Sequence, residues 1–422
     1  MSWRAYAFTQ CDAIVTNLGL LFWPHPLIID HGTAVVVDPS RVAPQALVVL
    51  LLLVTMVVTL VHRPVAGFLL FSTFAILAPT SSILPLVGQT MAEHRMYLPL
   101  APLLALVIGG TYRICGSWTV RLLILTATAL GITTMTRTVT MQDEIELWTD
   151  TVAKVPTNAR AHGNLGLALF KQGRDQDSLR AFQRALELDS ESVALEHNIG
   201  NVYFRLREFD DAARHHARSV ALDPKHASGY TSLGDACMMS GNPAGAAAHY
   251  RRAIELNPKS ATNHHNLAAA LAQTGEPAAA VALYETAIRL DPELAAAHAN
   301  LGHLLLSLNR PAEAVTPLRR ARALNSSDRR LHYDLALSLL QPAQFPEAIS
   351  ELEALLSQDP QNLDARNAYG VALMNAHRAD EAIRQFELIL SEKPADEIVR
   401  SNRDRLRALE TPKPQNRPEP PP

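Results

Sequence analysis

A 34-residue periodicity that runs without insertion or deletion constrains this chain more than any other feature. Seven units begin at Ala159, Val193, Ala227, Ala261, Ala295, Arg329 and Leu363, and the last closes at Asp396. One antiparallel helix pair cannot bury its own apolar stripe, but stacked pairs can, so a fixed period of this length predicts an all-α stack. The eighth position of the units reads Gly166, Gly200, Gly234, Ala268, Gly302, Ala336 and Gly370. The twentieth reads Ser178, Ala212, Ala246, Ala280, Ala314, Ala348 and Ala382. Small residues at these two positions are expected to face each other where the helices cross. Large residues (Leu165, Phe182, Tyr203, Leu233, Tyr250, Tyr284, Leu318, Phe386) are expected to fill the space between neighbouring pairs. Pro224, Pro258, Pro292, Pro360 and Pro394 recur near the unit end and stop each second helix, with Ser190 and Ser326 in the other two units. Pro243, Pro277 and Pro311 fall in the first turn of second helices, where the missing N–H costs little.

These residues resemble the tetratricopeptide (TPR) repeat family over the whole of 159–396. Residues 142–158 (QDEIELWTDTVAKVPTN) match the second helix of a partial repeat, with Trp148 and Pro156 in register. Residues 397–411 suit a charged capping helix, and the Pro-rich tail 412–422 is expected to be extended or disordered.

The first helix of each unit would line a groove. Its sixth position reads Asn164, Asn198, Ser232, Asn266, Asn300, Asp334 and Ala368. Asparagine amides both donate and accept, so a column of them can grip an extended peptide backbone whatever its sequence. The column resembles the asparagine ladder of O-GlcNAc-transferase-type arrays, broken at Ser232 and altered at Asp334 and Ala368. The opposing expectation is that each amide pairs locally within the repeats. No Lys/Arg set recurs at groove positions, so a basic clamp for carboxyl termini is not expected. His197, His265, His298 and His303 are scattered over first helices without metal-ligand spacing, and no metal or catalytic residue is assigned. Cys237, at a packed position, is expected in the core.

The charge distribution divides the chain. Residues 1–140 hold seven Arg, no Lys and four acidic residues, whereas the remaining 282 hold 68 charges. This is the composition of a lipid-embedded part, 1–137, followed by a water-exposed one. Four spans are expected near 42–61, 65–87, 96–112 and 118–136, with an interfacial helix near 13–29. Pro79 and Pro85 should kink or end the second span. Arg63, Arg113 and Arg121 favour a cytoplasmic side for their loops, which puts the repeats outside the membrane, as in a bacterial inner-membrane protein. Residues 141–422 carry a net charge of -6, which argues against a nucleic-acid partner. Its expected partners are a protein or peptide in the groove and the lipid bilayer.

The strings APTSSILPLVGQTMAEHRMYLPLAPL, LLFWPHPLIIDHG and LWTDTVAKVPTNARAHGNLG resemble the transmembrane-and-TPR-containing protein O-mannosyltransferases and their bacterial relatives. That resemblance implies a lipid-linked-sugar donor and TPRs that present an acceptor protein. Glu93, His94 and Arg95 are the candidate contacts for a polyprenyl phosphate, with Arg95 suited to phosphate oxygens. The class carries an acidic catalytic motif in its first outer loop. Asp12, Asp30 and Asp38 are the only acids before Glu93, and none forms a pair. The chain is therefore expected either to be an N-terminally shortened copy or to act with a catalytic half on another polypeptide. Three functions stand open: a membrane-anchored module that binds an extended protein segment, a transferase of this class, and an envelope assembly scaffold. No cofactor is expected in the first and third. The first accounts for the most residues.

Overall fold

A computed structural model describes residues 15, 39–81, 97–116, 118, 121, 124–125, 143–325 and 328–410. Nineteen helices can be delimited among them. They form two compact units, one within residues 1–222 and one within 223–422.

The first unit opens with α1 (Pro39–His62), α2 (Pro64–Ser81) and α3 (Tyr97–Cys115), where α1 packs on α2 and α2 on α3. Gly67 makes the first contact possible, because a Cβ there would lie 2.2 Å from the Leu60 backbone. The hydroxyls of Thr55, Thr59, Ser72 and Thr111 all donate back to carbonyls of their own helices, so none needs an outside partner. Among the described residues, Ala43–His62 is the one helix long and apolar enough to cross a membrane, with a mean hydropathy of 2.5. The four expected spans are thus cut back. The second stretch is helical from Pro64 to Ser81, and its remainder to 87 lies outside the described residues. The third is the helix Tyr97–Cys115, in which Arg113 ends the apolar run. Of the fourth, only residues 118, 121, 124 and 125 are described, and the expected interfacial helix near 13–29 lies outside apart from residue 15.

The partial repeat supplies α4 (Glu144–Lys154). Repeats 1 and 2 give α5 (Ala159–Lys171), α6 (Asp175–Leu188), α7 (Val193–Arg205) and α8 (Phe209–Leu222). The second unit holds repeats 3 to 7. Their first helices are α9 (Ala227–Met239), α11 (Ala261–Gln273), α13 (Ala295–Ser307), α15 (Arg329–Leu340) and α17 (Leu363–Asn375). Their second helices are α10 (Pro243–Leu256), α12 (Pro277–Leu290), α14 (Pro311–Leu324), α16 (Phe345–Gln358) and α18 (Ala379–Glu392). Within each unit a first helix packs on its own second helix, and that second helix packs on the next first helix.

The turn inside each repeat is built the same way every time. Position 15 takes a positive φ in all seven repeats: Gly173, Arg207, Gly241, Gly275, Asn309, Ala343 and His377. The next residue's N–H then reaches five residues back, as in Glu208 N to Tyr203 O (2.9 Å) and Arg310 N to Leu305 O (2.9 Å). This is a Schellman ending, which satisfies carbonyls the helix leaves open and reverses the chain. Glycine takes that conformation freely, whereas Arg207, Ala343 and His377 adopt it at about 1–2 kcal/mol each, held by the packed pair around them.

Position 8 faces position 24 of the same pair. A Cβ on Gly166, Gly200, Gly234, Gly302 or Gly370 would come within 2.4–2.7 Å of Phe182, His216, Tyr250, Leu318 or Phe386 respectively. The large residues at position 24 therefore lie over the helix crossing inside each pair, and Phe182 also clusters with Leu195, Ile199 and Val202 of the next repeat, between pairs as the sequence suggested. Position 20 touches position 8 as expected in repeat 1, where the Ser178 hydroxyl donates to the Gly166 carbonyl at 2.7 Å. Phe182, Tyr250, Leu318 and Phe386 are all at most 2 % exposed, and each such burial is worth about 1.5–3 kcal/mol. The capping helix is α19 (Glu397–Glu410), which turns Val399 and Leu406 inward against α18 and its charges outward. The tail 412–422 lies outside the described residues.

Candidate functional site

The sixth-position column sits on the first helices, and each residue's neighbours decide what it can still offer a ligand. In the first unit Asn164 on α5 and Asn198 on α7 are half-buried, and neither amide is bonded to another described residue. The ninth-position residue before Asn198 is Leu167, which has no polar atom to give it. In the second unit the column is partly engaged. Asn266 Nδ2 donates to Asp235 Oδ1 at 3.0 Å, and the Tyr250 hydroxyl donates to the same oxygen at 2.7 Å. Burial raises the Asp235 carboxyl above its ordinary value, against the lowering effect of those two bonds. Asn300 hydrogen-bonds the Tyr284 hydroxyl, whose burial pushes it up to about 12. Asp334 is buried, with Arg330 Nε at 3.6 Å and His303 Nδ1 at 3.5 Å. Its burial raises the carboxyl, and the charges of His303 and Arg330 oppose the rise. Ser232 is half-buried, Asn300 exposed and Ala368 buried.

Two polar residues at position 9 in the second unit meet position 6 of the next repeat, Asp235 with Asn266 and His303 with Asp334, whereas Asn300 follows Ala269 and is met instead by Tyr284. The expectation of local pairing is met at Asn266 and Asn300, each bonded to a neighbouring repeat. Asn266 and Asn300 latch neighbouring repeats, yet each amide keeps further donor and acceptor capacity. A shallow cavity of about 350 Å³ lies at the C-terminal ends of α13 and α15, lined by Leu306, Asn309, Pro311, Leu337, Leu340 and Gln341.

The histidines sort into classes that the sequence left unseparated. His162, His264 and His298 occupy position 4, and each Nε2 meets the carbonyl of the turn proline six residues earlier. The distances are 3.0 Å to Pro156, 3.0 Å to Pro258 and 3.1 Å to Pro292. Arg366 and Arg400 bond the carbonyls of Pro360 and Pro394 from the same position. In repeats 2 and 6, which follow Ser190 and Ser326 in place of proline, position 4 pairs instead with position 23. Glu196 Oε2 lies 2.7 Å from His215 Nδ1, and Glu351 Oε2 lies 2.6 Å from His332 Nδ1. Glu196 is wholly buried and Glu351 6 % exposed, and each has an arginine beside it, Arg218 at 2.9 Å and Arg322 at 2.7 Å. The signal was present in the sequence as acid and histidine spaced by nineteen, but their order is reversed between the two repeats.

Among the described residues no three His, Cys, Asp or Glu side chains converge as a metal site. Cys237 is buried, and burial pushes its thiol up, as suits a packed core residue. Glu93, His94 and Arg95 lie outside the described residues.

Comparison with known proteins agrees with the repeat register. The tetratricopeptide repeat family matches residues 159–192, 197–261, 249–282 and 339–406, and the TPR repeat matches 270–309. No curated protein matches the chain. Similar solved structures include MamA, at 24 % identity over 40 % of this chain and 92 % of that one, with a TM-score of 0.38. YrrB, described as a TPR protein with an unusual peptide-binding site, has 21 % identity over 45 % and 97 %, with a TM-score of 0.40. The C-terminal part of a TPR repeat-containing protein from Cytophaga hutchinsonii has 15 % identity over 56 % and 97 %, with a TM-score of 0.46. With the family matched over more than half of the chain and across the same helix pairs, this chain belongs to the tetratricopeptide-repeat proteins.

Proposed function

We propose that this protein is a membrane-anchored interaction module whose first helices grip an extended segment of a partner protein. One observation carries the proposal: Asn164 and Asn198 stand at the same position of successive first helices, half-buried and with their amides unspent. Half-buried amides open to solvent bond water, and a peptide backbone laid across them exchanges that water for direct bonds worth about 0.5–1.5 kcal/mol each. Anchoring rests on Ala43–His62, a helix whose Leu47, Leu50, Leu51, Val54 and Val57 are all more than half exposed. Such a surface is stable in hydrocarbon and unstable in water. The bilayer is thus the second partner, with the repeats on the extracytoplasmic side.

The test uses the full chain in detergent and a peptide selected from a displayed library. Asn164→Ala and Asn198→Ala are each expected to weaken binding about 3- to 10-fold without lowering the unfolding midpoint. Unchanged binding in both variants would overturn the groove assignment. Alkaline extraction of membranes should leave the chain in the pellet, and its release into the supernatant would remove the anchor. The transferase and scaffold alternatives gain no observation among the described residues.

A further inference from the structure

The distribution of charge over the second unit identifies what its groove prefers. The first helices of repeats 3, 4 and 5 contain a single charged residue, Asp235, in 39 positions. The second helices of the same repeats contain nine in 42, so charge is withheld from one face and not from the region. Neutrality stops on either side. The first helices of repeats 6 and 7 regain Arg329, Arg330, Asp334, Asp364 and Arg366. Asp235 does not break the pattern, because its oxygen already receives Tyr250 and Asn266. The charges next along compensate each other, with Arg330, His303 and Asp334 within 3.6 Å. Around Asp235 and His303 the three helices present hydroxyl, amide and methyl: Ser228, Thr262, Asn266, Ala269, Ala299 and Asn300, all half-buried or exposed.

We propose that the face formed by α9, α11 and α13 selects an uncharged stretch of extended polypeptide. The inference rests on the interaction reading above and adds the chemical class of the bound segment. A Lys or Glu side chain pressed onto this face would lose water and find only charges already engaged, Asp235 with Tyr250 and Asn266, and Asp334 with His303 and Arg330. Neutral side chains lose little there, while the amides of Asn266 and Asn300 keep capacity for backbone bonds. Small residues at Ala269 and Ala299 let the peptide approach closely.

The experiment selects 12-residue peptides from a random displayed library on the immobilised full chain, with binders measured by fluorescence anisotropy. Binders that cross-link to repeats 3–5 are expected to be depleted of Asp, Glu, Lys and Arg relative to the library. Placing one Lys or Glu at the centre of such a binder should weaken it at least about tenfold, with little change in affinity between low and high salt. Thr262→Lys and Ala299→Lys, both on exposed or half-buried positions, should together reverse the preference toward acidic peptides and make binding salt-sensitive. Selected peptides rich in charge, with strong salt dependence, would overturn the inference and leave the interaction reading standing. Failure of any extended peptide to bind the wild-type chain would overturn both.

Discussion

Repeats 1, 4 and 5 and repeats 2 and 6 solve the same local problem in two ways. In the former, a histidine at position 4 spans back to the carbonyl of the turn proline that precedes it. In the latter the turn carries serine in the sequence, and position 4 reaches across the pair to position 23 in a buried carboxylate–imidazole contact. The first solution is a neutral hydrogen bond that holds the entry turn. The second ties the two helices of a repeat and draws in an arginine, so it stakes more energy on a single oxygen. The contrast shows that one position of the period can serve the turn or the helix crossing, and that its neighbour decides which.

The largest break in this comparison is expected at Glu351. Glu351→Ala leaves His332 and Arg322 without their carboxylate, at an expected cost of about 3–5 kcal/mol. Amide exchange in α15 and α16 should accelerate by two orders of magnitude or more. Unchanged exchange would mean that the pair is decorative. The next test makes repeat 2 imitate repeat 6. Glu196→His alone should destabilise by about 2–3 kcal/mol, and adding His215→Glu should return stability to within about 1 kcal/mol of the parent. Failure of the double variant to recover would show that the two positions are not interchangeable. A smaller effect is expected where the bond is neutral. His298→Ala removes the partner of the Pro292 carbonyl and should cost about 1 kcal/mol, read as about fivefold faster exchange in the first turn of α13.

The smallest effect concerns a histidine that has neither solution. His265 packs its ring 5.5 Å from that of Tyr284, its Nδ1 is buried without a partner, and burial lowers its pKa from 6.5. The folded value lies below the unfolded one, so unfolding takes up a proton in the window between them. Its contribution to stability is whole above about pH 6.5 and is lost as pH falls toward the folded value. His265→Gln should flatten the dependence of the unfolding midpoint on pH between 7.5 and 5, and an unaltered slope would exclude the residue.

Much of this architecture was legible in advance because its causes are local. A fixed period, small residues at positions 8 and 20 and prolines at unit ends all act within a few turns of helix. They place a helix pair in each 34-residue unit, and the described helices follow that period. The apolar N-terminal part was legible only by composition, which finds apolar runs but not where helices end. Of the expected span 65–87, residues to Ser81 are described and helical, and the rest lies outside the described residues. The candidate column shows the limit most clearly. Asn198 and Asn266 occupy the same position and look alike in the sequence. Yet Leu167 leaves the first without a partner, and Asp235 occupies the second.

By itself, then, the sequence determined the helix pairs, their register and the face on which the asparagines stand, since those follow from spacing along one chain. Only the tertiary structure decided which amides remain unspent, which histidines hold turns and which face carboxylates. Those outcomes depend on partners 6, 19 or 31 residues away whose approach is set by packing. A hydrogen bond depends on tenths of an ångström, and no periodicity in residue type fixes a distance that finely.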